Sequence, residues 1–266
     1  MNLRLINSVW SSTIGKSYFR IGCILPTEIE YLFKCFNRYS KPIGLRFDKA
    51  YKLSSNDINT ILKLTNITSL EVYPIRSTQI TALINNYSAT NLQRLAVPLI
   101  DDSSISYLSN ITKLELYKMS GPFLAQMSQL ESLKISNVSD ALSNIPNTNL
   151  TSLDVTNVQQ SVASFIHNYL NLKELRVGSS LTDTINFEKF KRLESLHVLR
   201  GLPIDIPSTV TSLTTTTFDG QKYTQLSNLQ QLVAIQVHTN LHFCPALQNL
   251  TITFSPNIDV MATIST

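Results

Sequence analysis

One hexapeptide keeps returning along this chain: an apolar residue, two polar ones, leucine, a polar residue, and a second apolar one. It reads Ile67-Thr68-Ser69-Leu70-Glu71-Val72, then restarts at Leu92, Ile111, Leu130, Leu150, Leu172 and Leu193. Weaker copies begin at Val210, Leu232 and Leu247, and an early one spans Pro42 to Phe47. The fourth and sixth residues alternate with polar ones, which is the two-residue period of a half-buried strand. The central positions are Leu45, Leu70, Leu95, Leu114, Leu133, Leu153, Leu175, Leu196, Leu213, Ile235 and Leu250, spaced 15 to 25 residues apart. A unit that short cannot bury its own apolar face. Stacking successive units builds one continuous core behind a parallel sheet.

The segments between strands change along the chain. Thr27-Glu28-Ile29-Glu30 has the form of a capping box. Ile29, Leu32, Phe33 and Phe36 then fall on one helical face. Asn56 to Leu64 and Thr78 to Tyr87 repeat the pattern. Later gaps of 19 to 20 residues leave room only for a turn or a 3₁₀ piece. The predicted fold is therefore α/β: a curved parallel sheet with helices on the convex side of the N-terminal half and short turns later, hence more curvature in the first half. We read residues 1–266 as one domain. Residues 1–41 form a cap or first irregular repeat, with Phe19-Arg20-Ile21 as its strand. Residues 42–252 are the repeats, and 253–266 a C-terminal cap or tail.

The recurring L-x-x-L-x-L resembles the strand signature of leucine-rich-repeat proteins over about residues 42–252. That family adds Asn or Cys three residues after the last strand leucine. Here those places hold Ile75, Ile100, Met119, Val138, Val158, Ser180 and Gly201, while Asn137 and Asn157 sit one residue early. The segment Ile206-Pro207-Ser208-Thr209-Val210-Thr211-Ser212-Leu213, with Phe218, is similar to BspA-like repeats of bacteria and parasitic protists and to FNIP repeats of social amoebae. Both resemblances fit a protist or amoebal origin. Proteins of the superfamily mostly act as binding surfaces for other proteins.

The open, concave face of such a sheet carries the third, fifth and seventh positions of each copy. Its candidate binding residues are Glu71, Tyr73, Arg94, Lys113, Glu115, Tyr117, Lys134, Asp154, Arg176 and His197. Tyr and Arg are the residue types that anchor interfaces. Tyr73 and Tyr117 lie two repeats apart, about 10 Å by strand spacing.

Composition narrows the function classes. Leucine occurs 37 times in 266 residues, glycine only 7 times, and charged residues make up 15%. That excludes disordered and collagen-like chains. A net charge of +4 with no Lys/Arg run gives no nucleic-acid footprint. Three cysteines, Cys23, Cys35 and Cys244, build no disulfide framework, and reduced thiols fit a cytoplasmic setting. No stretch reaches 18 apolar residues, so no membrane span is expected. Six Asn-x-Ser/Thr sequons begin at Asn66, Asn86, Asn110, Asn137, Asn149 and Asn249, and would matter only in a secreted protein.

Candidate chemistry is sparse. Gly15-Lys16-Ser17 matches the end of a phosphate-binding loop, but Trp10 stands where the motif needs glycine. His238, His242 and Cys244 have metal-ligand spacing without a fourth ligand. Leu25-Pro26-Thr27-Glu28-Ile29 is similar to the opening of an F-box, which needs about three helices before the first repeat. The expectation is a non-catalytic protein-binding scaffold with no cofactor and no metal, a monomer or a weak dimer through an open sheet edge. The alternatives are a substrate-recognition component of an F-box ubiquitin ligase and a BspA-like surface adhesin.

Overall fold

The computed structural model describes residues 17–21, 43–47, 54, 55, 59, 61, 67–72, 92–100, 108–119, 127–138, 149–158, 166–178, 185–198, 206–219, 222, 223, 225–237, 241 and 244–253. The chain divides into two compact units, Met1–Leu130 and Glu131–Thr266. The first holds β1 (Ser17–Ile21), β2 (Ile43–Phe47), β3 (Ile67–Val72), β4 (Arg94–Val97) and β5 (Lys113–Met119). The second holds β6 (Ser132–Val138), β7 (Ser152–Val158), β8 (Glu174–Val177), β9 (Ser195–Val198), β10 (Ser212–Phe218), β11 (Gln231–Val237) and β12 (Asn249–Ile252). Within each unit the strands pair in chain order and in parallel. Each unit is thus a stretch of parallel β-solenoid.

The leucines set the register. Leu45, Leu70, Leu95 and Leu114 are mutual partners in the first unit. Leu133, Leu153, Leu175, Leu196 and Leu213 are partners in the second. All are buried, as are Val72, Val97, Leu116, Ile135, Val155, Val177 and Val198 at the sixth position. Burying one such side chain stabilises by about 1.5–3 kcal/mol, so a one-residue slip of any strand would expose its whole apolar row.

One register differs from the sequence expectation. Leu232, not Ile235, pairs with Leu213 and Leu250. Ile235 is exposed (44%) and Ala234 fills the buried sixth position. Alanine there is too small to mark the strand by pattern alone.

The route into each strand has its own rule. Ile166, Tyr169 and Leu172 are buried at spacing three, as are Phe187, Phe190 and Leu193, and Tyr223, Leu226 and Leu229. In each triplet the second N–H donates to the first carbonyl and the third N–H to the second, at 3.0–3.3 Å. These i→i+3 turns eclipse residues three apart, which puts every third side chain on the core. A 3₁₀ turn at Phe187–Lys189 is the regular form of this.

Adjacent turns are then joined across the stack. Two consecutive N–H groups converge on one carbonyl of the preceding repeat: Thr151 and Ser152 on Glu131, Glu194 and Ser195 on Lys173, Thr211 and Ser212 on Glu194. The hydroxyls of Thr151 and Thr211 donate to the same carbonyls of Glu131 and Glu194 at 3.2 Å, and that of Thr112 donates to Gln93 O at 3.3 Å. Asn228 Nδ2 donates to Ser208 O at 3.1 Å. Backbone groups are therefore satisfied before the strand, where the family pattern places its Asn after it. The sequons at Asn110 and Asn149 supply two of these threonines and so have a structural reason.

The described residues do not carry the α/β half of the expectation. The helices expected at 27–38 and 78–87 lie outside them. Of 56–64 only Asn59 and Ile61 are described, both with helical backbone, and Ile61 is buried. What the described residues show is parallel strands joined by turns, with little helix.

Candidate functional site

Because leucine and the sixth residue point inward, the third, fifth and seventh residues point to the open face. In the first unit Arg46, Glu71, Ala96 and Glu115 form the fifth-position row. Arg46 Nε lies 3.2 Å from Glu71 Oε1, with Arg46 exposed. Arg94 and Lys113 are register partners in the third-position row. Tyr117 projects from β5 with 58% of its surface exposed. Ser69 and Ala96 stand in the same rows but are buried, so this face is open chiefly at its long side chains. Tyr73 lies outside the described residues.

In the second unit Lys134, Asp154, Arg176 and His197 are successive register partners. Arg176 Nε is 3.9 Å from Asp154 Oδ1, a loose and partly exposed pair that contributes little to stability. His197 Nε2 is buried, with no hydrogen-bond partner among the described residues. Burial, and next the Arg176 charge, hold its imidazole below the usual histidine range. The nine described sequence candidates are therefore brought together as two groups, five in the first unit and four in the second.

The sequence reading missed a change in character further on. Continuing the rows across β10, β11 and β12 gives Thr214, Val233 and Thr251, then Thr216, Ile235 and Thr253. None is charged. The corrected register of β11 brings Val233 and Ile235 onto this face. The period-three run Leu226, Leu229, Leu232 was the signal that could have found it. Gly178 also stands in the seventh-position row but is buried and offers no side chain.

No family model matches the chain, and no curated protein matches it. Solved structures that are similar include the functional domain of InlJ from Listeria monocytogenes, described as including a cysteine ladder. It has a TM-score of 0.47 and 16% identity over 93% of this chain. This chain spans 65% of that domain's length. A leucine-rich-repeat protein of Leptospira interrogans has a TM-score of 0.33 and 15% identity, covering 87% of this chain and 81% of that one.

Of the His238, His242 and Cys244 set, only Cys244 lies among the described residues. Cys244 is buried in the row Leu241, Cys244, Leu247, and burial pushes its thiol above the ordinary value. His238 and His242 lie outside the described residues. Among the described residues no three His, Cys, Asp or Glu side chains cluster as a metal site. No described helix is long and apolar enough to cross a membrane.

Proposed function

We propose that the chain is a non-catalytic scaffold that binds a protein partner through the open, concave face of its repeats. The observation that carries this is the division of labour along β2 to β11. The fourth and sixth positions are spent on the core, while the third, fifth and seventh present Arg94, Lys113, Tyr117, Lys134 and Arg176 from a rigid parallel backbone. Rigid presentation lowers the ordering cost of binding, and Tyr and Arg supply the contacts that dominate interface energy. Strand β1, paired with β2, occupies residues that a ligase-type three-helix unit would need. A free, buried Cys244 fits a cytosolic setting.

The test is a cross-linked pull-down from native cells with wild type and a Lys113→Glu, Tyr117→Ala, Arg176→Glu variant shown to be folded by circular dichroism. A partner captured by wild type and lost with the variant supports the proposal. Equal capture by both refutes it.

A further inference from the structure

Two histidines lie at one step between repeats, β8 to β9, and one of them accepts a hydrogen bond across it. The His167 ring, in the turn before β8, accepts a hydrogen bond at Nε2 from the backbone N–H of Asn186 at 2.9 Å. Asn186 belongs to the turn before β9. An acceptor at Nε2 requires the single ring proton to sit on Nδ1. The ring stacks on Phe190, with centroids 6.4 Å apart and planes at 24°. Lys189, on the facing 3₁₀ turn, is the described charge whose field acts on it. His197, on β9, lies in register between Arg176 of β8 and Thr214 of β10. Asp154, one strand beyond, already faces Arg176. An exposed Lys173–Glu194 pair at 3.6 Å spans the same step.

We propose that the β8–β9 step is an acid-sensitive joint: protonating His167 and His197 removes the acceptor that ties two adjacent turns and sets one new cation beside Lys189 and another beside Arg176. Each protonation then acts between repeats, where the stack depends on its neighbours. Burial, and next the neighbouring cation, hold both rings below the ordinary histidine value. The unfolded chain therefore binds these protons first as pH falls through about 6.5. Stability is full above that value and declines below it until the folded rings also titrate.

The test uses the full chain at pH 7.5 and 5.5, by urea unfolding and by hydrogen exchange corrected for intrinsic rate. Protection over residues 166–198 is expected to fall several-fold at pH 5.5, against little change over 92–119. The variant His167→Gln with His197→Gln keeps an acceptor at each site and cannot titrate, so it should lose the pH dependence. Dependence that survives in this variant, or an equal loss of protection over 92–119, overturns the proposal. Should the variant not fold, an NMR titration of wild type decides. Both rings titrating below the ordinary value, with His167 as the Nδ1–H tautomer, sustains it; either ring at or above that value overturns it.

Discussion

Gly178→Ala is the smallest change that tests how the chain leaves a strand. β8 ends at Val177, whereas β7 runs on to Val158. The chain therefore turns away over its neighbour, and Gly178 N–H donates to Val155 O at 2.9 Å. A Cβ on Gly178 would lie 1.9 Å from the Thr156 carbonyl oxygen and 2.9 Å from its carbon. Ordinary contact begins near 3.4 Å, so about 1.5 Å of separation is missing. Both clashing groups are fixed to backbone, and no rotamer change can relieve them. Overpacking typically costs about 1–3 kcal/mol, and this case belongs at the upper end. The lower chain entropy of alanine offsets about 0.4–1 kcal/mol, leaving a net loss of roughly 2–3 kcal/mol. At about 2–4 °C per kcal/mol for a chain of this size, Tm should fall by roughly 4–12 °C in calorimetry. Ser136→Ala, in the same row on a strand that runs on, should leave Tm unchanged. A Gly178→Ala protein that melts within 2 °C of wild type (roughly the effect of 1 kcal/mol or less) would refute the close approach.

Three further outcomes follow from the register and the turns. Leu232→Ala should cost about 2–5 kcal/mol by urea unfolding, while Ile235→Ala costs well under 1 kcal/mol; the reverse order would restore the register expected from sequence. Thr211→Val removes the hydroxyl that shares the Glu194 carbonyl and should cost about 0.5–1.5 kcal/mol, visible as a lower urea midpoint at constant m-value. Arg176→Glu should change stability by no more than about 1 kcal/mol, because its partner Asp154 is only loosely engaged, yet should weaken partner binding in a titration.

Much of the fold was legible because the strand leucines repeat with a physical period. Leu70, Leu95 and Leu114 in the first unit, and Leu133, Leu153, Leu175, Leu196 and Leu213 in the second, are buried register partners, and Phe19 to Ile21 lies in a strand paired with β2. The period failed where a core residue was small: Ala234 hid the β11 register and with it the uncharged patch around Val233 and Ile235. The turn rule was overlooked because the family's Asn was sought after the strand. The same task is done before it, by Thr112, Thr151, Thr211 and Asn228. Spacing-three rows such as Phe187, Phe190, Leu193 also lack a strand's alternation. Gly178 and the His167–Asn186 contact depend on how one repeat approaches the next, which no single repeat's sequence encodes. Of the candidate site, the charged row Lys134 to His197 was legible from strand parity alone.

The central claim is that the odd positions of the strands meet the partner. Photo-cross-linking in cells tests it most directly, with a benzophenone amino acid placed singly at Tyr117, Lys134 or Arg176 on the open face and at Lys191 or Ser227 in the exposed turns. The account predicts one cross-linked polypeptide of the same mass from all three open-face positions and none from the turns. Cross-links from the turn positions, with none from the open face, would contradict it.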